Sequence, residues 1–162
     1  VDGGFIELGD SFPEWETCAE RMQPPRLAGM RGSRLESAIR ATNIDWPETG
    51  IIGSLSNFEF HEDGTISPWL TFDRHMLILK ELWKHRPSEM FASIDRPVLF
   101  MPADSGDVAW TSNKETAINS ALAKLKSGRA QWFRPAHHDL HAQHPEQCAM
   151  ILITNYKNGF FS

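Results

Sequence analysis

Arg96-Pro97-Val98-Leu99-Phe100-Met101-Pro102-Ala103-Asp104-Ser105-Gly106-Asp107 joins an unbroken apolar run to a loop of small and acidic residues. A strand that is apolar at consecutive positions is buried on both faces, which is the habit of parallel sheets covered by helices. Beyond it, the spacing of Ala117, Ile118, Ala121, Leu122 and Leu125 predicts a helix from about Asn113 to Lys126, with Gly128 as its terminating glycine. Ala130-Gln131-Trp132-Phe133-Arg134 then predicts a second strand, followed by the loop Pro135-Ala136-His137-His138-Asp139-Leu140-His141. Pro145 and Gly159 bracket a last helix with Cys148, Ala149, Ile151, Leu152 and Tyr156 on its apolar side. Strand, helix, strand, helix in this order is the pattern of βαβ units in a parallel sheet.

Working back from that run, the chain reads as mostly helical. Thr71 is placed to cap a helix from Phe72 or Asp73 to about Lys84, with Met76, Leu79, Leu82 and Trp83 on one face and Pro87 as its stop. Phe58-Glu59-Phe60, Asp63-Gly64 and Thr65-Ile66 predict a β-hairpin, because alternating strands flank a strong turn dipeptide. Asn43 to Gly50 reads as a loop, and Gly32 to Thr42 as a helix in which Leu35, Ala38, Ile39 and Thr42 share a face. An earlier helix is capped by Asp10 or Ser11, has Pro13 in its first turn, carries Trp15, Cys18, Ala19 and Met22 inward, and stops before Pro24-Pro25. Val1 to Leu8, opening Val1-Asp2-Gly3-Gly4, reads as the end of a buried strand and predicts a piece cut from a longer chain. The expected organisation is a strand remnant over 1–10, a helical insertion over 11–94 and an α/β segment over 95–162.

With 41% apolar and 23% charged residues, the 162-residue chain has the composition of an ordinary globular protein. Sixteen Lys and Arg against 21 Asp and Glu give a net charge of −5, so neutralising a phosphate backbone is a poor use for it, and nucleic acid is not an expected partner. Apolar runs such as Met76 to Leu79 and Met150 to Ile153 are far shorter than the roughly 20 residues that cross a bilayer, so no membrane partner is expected either. Cys18 and Cys148 are isolated from each other and from any CxxC pair, which makes a disulfide framework improbable and the cytoplasm the expected compartment.

In open parallel sheets, functional groups collect in loops at the carboxyl ends of strands. Two such loops carry suitable chemistry: Asp104 and Asp107 in one, and His137, His138 and His141 in the other. A histidine oriented by a carboxylate is the supporting half of a catalytic triad. Asp104 and Asp107 can equally serve as turn residues that bond their own backbone. The histidines can equally be loop and helix-start residues, and imidazoles 137 or 138 with 141, joined by Asp139, can form part of a metal site. Trp110 follows the acidic loop and is placed to line a pocket mouth, whereas Trp15 and Trp83 fall on packing faces.

The apolar strand from Pro97, the acidic loop ending at Asp107, the helix, the second strand, His138 seven positions before Pro145, and the closing helix together resemble the carboxyl-terminal part of an α/β hydrolase. Val1-Asp2-Gly3-Gly4 is similar to the strand that follows the nucleophile helix in that family, and the helical insertion lies where its cap domain is inserted. The resemblance implies an α/β fold made of the carboxyl-terminal portion of the parallel sheet with an inserted, mostly helical cap. It implies His138 as the catalytic histidine, with His137 where the family usually has Gly, and Asp107 as the acid. Asp104 and Asp2 are the alternative acids.

The family's nucleophile occupies a small-x-Ser-x-Gly turn between a strand and a helix. Ser33 in Arg31-Gly32-Ser33-Arg34, Ser54 in Ile52-Gly53-Ser54-Leu55 and Ser105 in Ala103-Asp104-Ser105-Gly106 all lack that spacing. The nucleophile is therefore expected in an amino-terminal half outside this chain. The expected function is hydrolysis of a small ester, amide or related substrate by the whole protein without a cofactor or metal, this piece alone being inactive. The alternatives are a non-catalytic module that pairs with its missing half, or as a homodimer, through an exposed strand edge, and a metallohydrolase.

Overall fold

The computed structural model describes residues 4–162, which divide into two compact units: Leu8–Lys84, and His85–Ser162 together with the segment ending at Glu7. The second unit contains the strand that decides the fold. β3 (Val98–Phe100) pairs in parallel with β4 (Gly128–Ala130), Val98 opposite Gly128 and Phe100 opposite Ala130. The helix joining them is α7 (Val108–Lys124), and α9 (Pro145–Lys157) closes the chain.

Alternation along β3 explains why its sequence is apolar throughout. Leu99 and Met101 pack with Ala103, Phe133, Ala136, Leu140, Cys148 and Ile151, the cluster that α9 covers. Val98 and Phe100 pack with Phe91, Ile118, Ala121 and Leu125, the cluster that α7 covers. A strand with a helix over each face has no polar side to offer. β4 alternates in the same way: Ala130 joins the α7 side, while Arg129 donates to Asn155 Oδ1 of α9 at 3.0 Å and lies over the Phe160 ring.

Several boundaries differ from the sequence expectation. β4 begins at Gly128, so this glycine is in a strand and not at a helix end; a Cβ there would stand 2.8 Å from Leu122 Cδ2. The expected strand residues 131–134 contribute only the parallel bridge Ala103 to Phe133. α7 begins at Val108, five residues earlier than expected, because Asp107 caps it. Leu152 and Tyr156 of α9 are exposed, its buried side being Cys148, Ile151 and Asn155. Residues 4–7 turn instead of extending, and Leu8 opens a helical turn, α1 (Leu8–Ser11), so the strand reading of Val1 to Leu8 fails over its described part.

In the unit Leu8–Lys84, α2 (Trp15–Met22), α3 (Gly32–Thr42) and α5 (Phe72–Lys84) lie where amphipathic spacing placed them, with Cys18, Leu35 and Leu79 buried. Trp83 of α5 tilts against Trp15 at 5.8 Å and its indole N–H donates to Phe12 O at 2.7 Å, whereas Leu82 is exposed. Pro87 does not end α5, which stops at Lys84, but opens the short helix α6 (Pro87–Met90) of the other unit. Asp10 and Ser11 belong to α1 and do not cap α2, whose N-cap position is Glu14.

The hairpin pairs β1 (Phe58–Phe60) with β2 (Ile66–Pro68), and Gly64 takes φ +79° in its turn. Glu48–Leu55 forms a helix, α4, where Asn43 to Gly50 had read as loop. Arg40 of α3 grips both carboxylate oxygens of Glu48 at 2.7 Å, fixing the first turn of α4.

Candidate active site

The loop after β4 is fixed from both ends. Ala136 and Leu140 are buried in the α9-side cluster. Between them, His137 N–H donates to the side-chain oxygen of buried Gln143 at 2.8 Å, on the one-turn helix α8 (Leu140–Gln143). His138 thus projects from a short segment whose neighbours on both sides are anchored, and its side chain is 70% exposed. Its Nδ1 lies 3.2 Å from Asp139 Oδ1. The His138 hydrogen bond holds the Asp139 carboxyl below its ordinary range, with the nearby His141 charge adding to this and burial opposing it. An ionised carboxylate only accepts, so Nδ1 is the donor in this bond. In a neutral ring bonded this way, Nε2 is the atom able to take a proton from a nucleophile or water.

The acidic loop after β3 is committed to its own fold. Asp107 Oδ1 accepts from Trp110 N at 2.9 Å, the capping bond that starts α7. Asp104 Oδ1 accepts from Gly106 N at 2.9 Å and Thr111 Oγ1 at 2.8 Å, and its other oxygen faces Arg134 Nε at 3.4 Å. These bonds, the Gly106 N–H first, hold the Asp104 carboxyl below its ordinary range. Lys114 donates to Ala103 O, and Arg134 reaches on to Glu115 at 2.6 Å. Burial pushes the Lys114 amine down, against the pull of Asp104.

The two loops are laced by backbone: Asp104 N donates to Phe133 O at 3.0 Å, and Ala136 N to Asp104 O at 2.8 Å. The sheet end therefore brings the Asp104 backbone to the histidine loop; the Asp107 carboxylate caps α7, and the Asp104 carboxylate is held by Gly106, Thr111 and Arg134 and by no histidine among the bonds described. Asp2 lies outside the described residues. Trp110 is half-buried in the first turn of α7. His144 stacks on Phe133 at 5.9 Å, a packing role, and His141 is exposed on α8. Asp139 as a partner of His138 escaped the sequence reading, because adjacent residues give no spacing signal that their side chains turn toward each other.

No family model matches the sequence, and no curated protein matches it significantly. Among solved structures, that of E-2-(acetamidomethylene)succinate hydrolase, an α/β hydrolase, superposes with a TM-score of 0.60 at 15% identity. The fold is shared. The match covers 89% of this chain and 52% of the other, so the chain spans about half the length of the hydrolase it resembles. Among the described residues no three His, Cys, Asp or Glu side chains group as a metal ion would need, and no helix is long and apolar enough to cross a membrane. Cys18 and Cys148 are both buried free thiols.

Proposed function

We propose that this chain is the carboxyl-terminal part of an α/β-type hydrolase in which His138 is the general base. The observation that carries the reading is the position of His138: it sits on an anchored loop at the carboxyl end of a parallel strand, in a fold shared with a hydrolase. A serine in a strand-to-helix turn, supplied by chain outside these residues, attacks a small ester or amide. His138 accepts the serine proton at Nε2 and returns it to the leaving group. Residues 11–94 are the inserted cap of that fold. The orienting acid is Asp107, by the likeness of Ser105-Gly106-Asp107 to a variant of the family's acid loop, or else Asp104 or Asp2; the internal bonds of Asp107 and Asp104 favour testing all three.

The test uses the protein extended by its upstream coding sequence and a chromogenic ester. His138→Ala is expected to lower kcat by about 10⁶-fold, the loss typical of a triad histidine, and removal of the orienting acid by about 10⁴-fold. Asn replacements at Asp2, Asp104, Asp107 and Asp139 then identify the acid as the one whose loss reaches about 10⁴-fold. Undiminished turnover in His138→Ala overturns the proposal. A second reading is supported by the two-stranded sheet, whose outer edges are unpaired among the described residues: the chain associates with further strands, its own missing half or a second copy. Light scattering of a monodisperse monomer at micromolar concentration contradicts association with a second copy.

A further inference from the structure

Within the unit Leu8–Lys84, the Pro24–Ala28 segment, the hairpin strands and the start of α5 enclose a cavity of about 510 Å³. That is the size of small-molecule sites. Its apolar walls include Leu27, Phe58, Trp69, Leu70 and Phe72. Trp69 and Leu70 remain 60% and 44% exposed, large apolar surface left in water at the mouth. The charged side chain in the wall is Arg26, whose guanidinium lies 3.6 Å from the centre of the Phe72 ring. Stacking on a ring fixes the plane of a guanidinium and leaves its N–H edge free to take a carboxylate side-on. Among the described residues no carboxylate pairs with Arg26, and the lining contains no Asp or Glu.

We infer that this cavity binds a small organic carboxylate with an apolar aliphatic or aryl body, its carboxylate on Arg26 and its body against Phe58, Leu70 and Trp69. Apolar residues make up most of the wall, with Asn57, Ser67, Thr71 and His75 as its other polar side chains, so an amphipathic acid suits it better than a sugar or nucleotide, and a neutral ligand of the same shape gains nothing from the guanidinium. All the residues involved belong to the unit Leu8–Lys84, and the test below reads binding and not turnover, so its failure and that of the hydrolase reading are distinguishable.

Titration of the 162-residue chain with phenylbutyrate, and with phenylbutanol as its neutral counterpart, tests it. The readout is the Trp69 indole resonance, assigned with Trp69→Phe. Phenylbutyrate is expected to shift that resonance saturably, and Arg26→Gln to weaken its binding about tenfold while leaving phenylbutanol unaffected. Arg26 is exposed, so the substitution leaves the fold intact. Absence of saturation, equal affinity for the two compounds, or an equal loss of both on Arg26→Gln overturns the inference.

Discussion

In Leu8–Lys84 the most deeply buried apolar side chains are spread one per element: Cys18 on α2, Leu35 on α3, Ile51 on α4, Ile66 on β2 and Leu79 on α5. Around β3 and β4 they gather into two clusters, one on each face of the paired strands. The first arrangement leaves room for a 510 Å³ cavity among side chains that keep part of their surface in water. The second carries two loops, bonded to each other through backbone, at one end of the strands. Precise proton transfer needs a fixed donor and acceptor, whereas adaptable apolar binding tolerates a looser wall. The two proposals follow that division, proton transfer in the densely packed unit and ligand binding in the sparsely packed one.

The comparison breaks most severely at Phe133, which is 1% exposed. Phe133→Ala is expected to cost about 3–5 kcal/mol, read by urea unfolding, with loss of amide protection in α9. Ile66→Ala, at a fully buried site in the sparser unit, is expected to cost about 2–4 kcal/mol, the lower part of the range for such truncations. A cost equal to that of Phe133→Ala would erase the packing difference. Gly128→Ala brings a Cβ to 2.8 Å from Leu122 Cδ2 and 3.1 Å from Leu125 Cδ1, and is expected to destabilise by roughly 1–3 kcal/mol through overpacking.

Asp107 sharpens the comparison at the functional end. Asp107→Ala removes the α7 cap and is expected to cost about 1 kcal/mol of stability, while Asp107→Asn, which still caps, costs little. A capping residue that is also the acid would lose activity in the Asn variant without losing stability. The smallest effect is a pH dependence at Asp104. Its carboxyl is held below the ordinary range by the Gly106 N–H and the Thr111 hydroxyl, so the stabilisation is present above about pH 4 and lost as pH falls through the lowered value. Asp104→Asn is expected to flatten that acid limb of the urea midpoint, and an unchanged limb would show that Asp104 contributes nothing to it.

Sequence legibility followed the same division. Pro97 to Met101 announced a strand because both faces are buried, and α3, the hairpin and α5 were legible from period and turn residues. α4 was hidden because Gly50, Gly53 and the preceding Pro47 read as loop, while the helix is held by Ile51 burial and the Arg40–Glu48 pair. β4 slipped by two residues because apolar Trp132 and Phe133 drew the strand toward them, whereas register with Val98 starts it at Gly128. At the candidate site, the histidine loop was visible as a run of imidazoles, but an aspartate that caps a helix and one that orients a histidine look alike in sequence. Only the bond to Trp110 N separates the two duties of Asp107.

The central claim, that His138 serves a nucleophile carried outside this chain, is tested most directly by reading the coding sequence immediately upstream of Val1. The account predicts a long preceding segment in which an apolar strand runs into a small-x-Ser-x-Gly turn and then a helix. A reading frame that opens at Val1, or an upstream segment without such a turn, would contradict it.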